Sequence, residues 1–161
     1  MVGLGHGHVL AVARARARLQ TDPGATRVTR TVAFKAVQVD RQLAYGAVYE
    51  PYLLDTQGEW MRPDQIEAMA HKFMLKQLNS AFDVMHDNQG GKAHVVESFI
   101  ARKGDPDYVE GSWVLGVWVP DRELWARIRK GEIGGFSFEA YVVKNPTTIT
   151  VDASYRVQEV A

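Results

Sequence analysis

The chain has 161 residues, 19 lysines and arginines against 19 aspartates and glutamates, and no cysteine. That length fits one domain able to bury a proper core. Zero formal net charge argues against a general nucleic-acid binder, and the missing cysteine excludes disulfides, thiol nucleophiles and thiolate metal sites. No apolar run approaches the roughly 18 residues of a membrane span, and the first ten residues lack the basic-then-apolar order of a signal peptide. A cytosolic protein without nucleic-acid or membrane partners is therefore expected.

Residues 1–26 differ from the rest and read as a basic, flexible arm, leaving 27–161 as the domain. Within the arm, 9–20 (VLAVARARARLQ) is predicted as a short helix because alanine favours it. Its arginines at 14, 16 and 18 nevertheless alternate with a period of two. Thr21, Asp22, Pro23 and Gly24 break it. Alternation around Val28, Val32, Phe34 and Val37 predicts a strand over 27–40, a second strand covers 43–50, and a long loop follows to Pro63. A helix over 63–79 starts well, with Pro63 in its first turn and Asp64 and Glu67 near its N-terminus. Ile66, Met69, Ala70, Phe73, Met74 and Gln77 form its inner face. Strands are expected at 82–86, 93–101 and 111–119. A second helix over 120–130 turns Leu124, Trp125 and Ile128 inward and ends at Gly131. Strands at 134–143, 147–151 and 155–160 complete the chain. Short strands with two helices and no βαβ alternation predict an α+β fold built on a mostly antiparallel barrel with flanking helices.

The most informative feature is Ser137 in Gly-Gly-Phe-Ser-Phe-Glu (134–139), about fifty positions after His86 in Asp-Val-Met-His-Asp (83–87). A hydroxyl attacks well only when a base takes its proton, and histidine does so best near neutral pH. Strand alternation puts Phe136 and Phe138 on the core face and Ser137 opposite, with Gly135 and Glu139. A glycine beside the hydroxyl would leave room for a substrate backbone. The bland alternatives are an exposed strand serine and a turn histidine. A third group should orient the histidine, and three carboxylates compete. Glu159 shares a predicted strand face with Tyr155 and Val157. Glu97 shares one with Val95 and Phe99, and Asp87 adjoins His86. A carboxylate on an apolar face is costly unless paired. His71, His86 and His94 lack the spacing of metal-ligand pairs, and His6 and His8 sit in the arm.

Several stretches resemble the XkdF-like group of tailed-phage prohead serine proteases, which act in capsid maturation. They are 49–61 (YEPYLLDTQGEWM), 66–73 (IEAMAHKF), 83–87 (DVMHD), 95–101 (VVESFIA), 111–119 (GSWVLGVWV) and 124–138 (LWARIRKGEIGGFSF), in the family's order across most of 45–140. The resemblance implies a fold related to herpesvirus assemblin, a closed β-barrel with flanking helices. It places the nucleophile at Ser137 and the general base at His86. A following segment similar to 155–161 (YRVQEVA) makes Glu159 the third member, with Glu97 the less favoured choice. Two departures stand out: Glu139, where many relatives carry glycine, and the end at Ala161, where relatives continue into another strand.

The implied activity is a serine endopeptidase that needs no metal or organic cofactor. Backbone N–H groups, helped by a basic residue such as Arg102, would stabilise the oxyanion. The implied substrates are scaffolding protein, the removable part of the major capsid protein, and the protease itself, cleaved inside proheads in the host cytoplasm. A homodimer is the expected assembly to test, since assemblin-like enzymes can be activated by dimerisation, and the arm would tether the enzyme to scaffold. Two other readings stand beside this one: a catalytically inactive, protease-like module that binds scaffold in the capsid, and a metal-dependent hydrolase.

Overall fold

The computed structural model describes residues 12–13, 24–75, 92–142, 144–145 and 147–158. In chain order the elements are β1 (Val12–Ala13), β2 (Thr26–Ala33), β3 (Ala36–Gln38), β4 (Leu43–Tyr49), α1 (Pro63–Leu75), β5 (His94–Ile100), β6 (Trp113–Trp118), α2 (Arg122–Arg129), β7 (Gly135–Val142), β8 (Thr150–Val151) and β9 (Val157–Gln158). They form an α+β structure with mostly antiparallel sheets and two helices. The strand order is β1-β7-β2 in one sheet and β3-β4-β6-β5 in the other, with β8 and β9 as a separate hairpin.

The two larger sheets share one length of chain. The single strand expected over 27–40 is two strands with a corner between them: β2 pairs with β7 and β3 with β4. At the corner the Phe34 N–H donates to the Gly134 carbonyl at 2.8 Å, and the Lys35 N–H donates to the Tyr45 carbonyl at 2.8 Å. Consecutive residues thus bond to different sheets. The neighbouring strands can approach because both carry glycine there. A Cβ on Gly135 would lie 2.3 Å from the Val32 carbonyl oxygen, and one on Gly46 would lie 2.6 Å from that of Ala33. A strand that passes between sheets needs such a close approach.

The sheets and helices enclose one main core. Trp113 of β6 packs edge-on against Phe138 of β7 at 5.2 Å between ring centroids, and Phe73 of α1 reaches both. α1 buries Ile66, Ala70 and Phe73, as its spacing predicts, while Met74 of the expected inner face is 45 % exposed. Residues 76–79 lie outside the described residues. α2 buries Leu124, Trp125 and Ile128, and begins after Asp121, whose carboxylate accepts from the Leu124 N–H at 2.7 Å. Gly131 follows at a φ of 75°, in the left-handed region that glycine adopts freely at a helix end.

Two expectations fail. Val12 and Ala13 form a strand, not a helix. Alanine's helical preference is worth only a few tenths of a kcal/mol per residue (~0.5), whereas an open strand edge offers backbone hydrogen bonds. No closed barrel is found among the described residues either: no pairing joins β5, at one end of the strand order, to β1 at the other. Strand β5 is bulged between Val95 and Glu97, which commonly marks a sheet edge.

Candidate active site

Ser137 stands third in β7. It faces Thr31 of β2 in the antiparallel ladder and Val12 of β1 in the parallel one. Its neighbours Phe136 and Phe138 are both buried, as the alternation predicts. Phe138 touches Tyr49, Phe73 and Trp113, and Phe136 packs against Phe34 at 5.9 Å. Two aromatic anchors and an eight-residue ladder hold the backbone at 137, the kind of rigidity a reacting group requires. The partner positions Thr31 and Ala33 on β2 are exposed, so the non-core face of this sheet is open where they stand. The expectation about glycine needs correcting. At Gly135 the space is filled by the chain's own Val32 carbonyl, whereas a Cβ on Gly134 would meet nothing within 4 Å. The open position is one residue earlier.

Glu97 does not share a face with Val95. The bulge at Val96 shifts the register, so Val95 faces the main core while Glu97 stands opposite Gly116 beside Tyr45. The Tyr45 hydroxyl donates to Glu97 Oε1 at 2.9 Å. Gly116 makes this possible, since a Cβ there would lie 2.7 Å from the Tyr45 ring and 3.0 Å from the Glu97 Cβ. Burial and then the Glu97 bond push the Tyr45 phenol above its ordinary pKa. The pairing that offsets the cost of an inward carboxylate is therefore a phenol.

His86 and Glu159 lie outside the described residues, as does Asp87. The strand leading toward Glu159 is placed: the Val157 N–H donates to the Tyr52 carbonyl at 2.7 Å, and Arg156 pairs with Glu50. Tyr155 does not share that strand's face. It sits in a turn at a φ of 60° and is 68 % exposed, because the Asp152 carboxylate organises the turn by accepting from the Ser154 and Arg156 N–H groups. Arg102 lies exposed in the loop after β5 and, with Glu67 and His71, lines an open cavity beside α1. His71 approaches Glu67 of its own helix at 3.9 Å, and His94 lies against Trp118. Among the described residues no three potential metal ligands gather.

One charged residue escaped sequence reasoning. Arg30 alternates with Val28 and Val32 on the inward face of β2, lies 4.2 Å over the Tyr49 ring, and donates to Asp55 at 3.0 Å. The rule applied to Glu97, a charge on an apolar strand face, would have found it. Burial raises the Tyr49 pKa, and Arg30 opposes that shift.

A family model described as "Putative phage serine protease XkdF" matches residues 31–144. "Uncharacterized protein YqbD" of Bacillus subtilis (strain 168) is 42% identical over 113 residues, covering 67% of this chain and 34% of that protein. "Phage-like element PBSX protein XkdF" of the same strain is 37% identical over 107 residues, covering 64% of this chain and 38% of that protein. The chain spans little more than a third of the length of these curated relatives. No solved structure matches. Ser137, His86 and Glu97 fall within the matched residues, and Glu159 falls beyond them.

Proposed function

Because the chain belongs to the family described as "Putative phage serine protease XkdF", we propose that it is a serine endopeptidase of phage capsid maturation. The observation that carries this reading is Ser137 inside the matched segment, on a strand anchored by two buried phenylalanines. In the proposed reaction His86 takes the hydroxyl proton as the Ser137 oxygen attacks a peptide carbonyl, and Glu159 orients the imidazole. Backbone N–H groups hold the oxyanion. His86 returns the proton to the leaving amine, the acyl group stays on Ser137, and water then releases it as a carboxylate.

The proposed substrates are scaffolding protein, the removable part of the major capsid protein and the protease itself, cleaved within proheads in the host cytoplasm. Residues 1–26 would act as an arm appended to the catalytic domain, and a homodimer is the proposed assembly. Kinship of fold with herpesvirus assemblin is part of the same reading. A structure of a longer chain in which further strands join the β5 and β1 edges would support it.

Fluorophosphonate labelling followed by intact mass tests the nucleophile without a known substrate. One adduct is expected, mapped to Ser137, absent from Ser137→Ala and formed about 100- to 10,000-fold more slowly in His86→Ala. A folded wild-type chain that takes no adduct would overturn the proposal.

A further inference from the structure

Among the described residues, strand β7 has a full partner on one edge and a two-residue partner on the other. β2 pairs with all its residues from Gly135 to Val142. On the other edge the described pairing is two residues long: Val12 opposite Ser137 and Ala13 opposite Phe138, in parallel register. Among the described residues no other strand pairs with that edge. Successive residues of a strand direct their backbone N–H and C=O groups to alternate edges, so β7 offers a row of hydrogen-bonding groups along the side where Ser137 meets Val12. Such an edge accepts an extended polypeptide through main-chain bonds. The segment seated there is the chain's own. Its sequence suits the role, since arginines at 14, 16 and 18 alternate with alanine at the period of a strand.

We propose that the outer edge of β7 is a docking site for an extended polypeptide, and that the chain's own Val12–Ala13 segment occupies it as an internal competitor. That segment passes Ser137 in the lane that a polypeptide substrate would take. Only the word substrate rests on the protease reading; the docking and the competition do not.

The chain has no cysteine, so an engineered pair reports contact directly. Val12→Cys with Ser137→Cys should form a disulfide on mild oxidation of the folded full chain, because ladder partners lie within the roughly 4.4–6.8 Å Cα separation such a bond spans. Val12→Cys with Thr150→Cys, on the β8–β9 hairpin, should stay reduced. If the folded V12C/S137C chain stays reduced, the placement is overturned. The competition is read with a fluorescein-labelled synthetic peptide of residues 6–18, by anisotropy. It should bind the full chain carrying Val12→Pro and Ala13→Pro about tenfold or more tightly than wild type, since the tethered segment competes at high effective concentration. Proline removes the N–H that the pairing needs. The disulfide-locked chain should not bind the peptide. Equal affinity for wild type and proline variant would overturn the competition. Docking without a fluorophosphonate adduct would overturn the protease reading alone.

Discussion

Adjacent glycines before Ser137 do different work. Gly135 sits against the Val32 carbonyl, where any side chain collides with backbone, while Gly134 stands in open space. Gly135→Ala should therefore cost about 1–3 kcal/mol through forced displacement of β2, and Gly134→Ala should leave the melting temperature close to wild type. Thermal denaturation of the two variants checks the contrast. The carboxylates separate in a similar way. Glu97 is engaged by the Tyr45 hydroxyl, so Glu97→Gln should keep most of the Ser137-dependent activity and Glu159→Gln should lose most of it; the reverse ranking in fluorophosphonate labelling would move the third role to Glu97. That Glu97 needed a partner was legible in the sequence from its apolar neighbours. Its partner was not, because the bulge at Val96 re-aims the side chain and a bulge leaves no period to read. Tyr108 gives a pH prediction. Its hydroxyl is buried with no hydrogen-bond partner among the described residues, and burial, with Asp107 and Asp105 adding, pushes its pKa from 10.0 to about 12. The unfolded chain then loses this proton first, so stability falls as pH rises between those values. Tyr108→Phe should flatten that alkaline decline and be neutral or stabilising at pH 7, since it removes an unpaired buried polar group. Urea denaturation at several alkaline pH values measures the slope.

At the scale of elements, the helices were the most legible parts because a 3.6-residue apolar stripe is redundant: one misplaced residue, such as exposed Met74, does not erase it. Their starts were less so. The second helix was expected from Pro120, but its first turn is organised by the Asp121 carboxylate on the Leu124 N–H. Asp121→Ala should cost about 1 kcal/mol, measurable as a lower urea midpoint with an unchanged slope. Strand alternation correctly placed Phe136 and Phe138 inward. It did not show that 27–40 divides at Phe34 and Lys35: the apolar positions change parity between Phe34 and Val37, but the change of hydrogen-bonding partner is not written in the local pattern. The clue was elsewhere in the chain, in Gly46 and Gly135, the residues that let the corner approach. The helix expected over 9–20 fails at Val12 and Ala13 for a related reason: composition favours helix weakly, and the edge of β7 pairs these two residues as strand.

Across the whole molecule, the class was legible and the closure was not. An α+β arrangement of mostly antiparallel strands follows from local patterns, but whether a sheet closes depends on which edges meet, a long-range property that no local period encodes. Beside the β8–β9 hairpin, the described strands form two larger sheets joined at the corner between β2 and β3, and Trp113, Phe73 and Phe138 pack together in the core. This places Ser137 on the middle strand of one sheet, between Phe136 and Phe138, which enter the core. Of the proposed catalytic residues, the described structure places Ser137 by its backbone alone. The roles of His86 and Glu159 rest on residue chemistry and family likeness.

The most direct test is co-expression of the chain, wild type or Ser137→Ala, with the neighbouring scaffold and capsid proteins, followed by intact-mass measurement of all three. The account predicts defined scaffold and capsid fragments with wild type and none with Ser137→Ala, which should retain the wild-type circular dichroism spectrum. Identical masses in both samples would contradict it and leave a protease-like module that binds capsid components without cutting them.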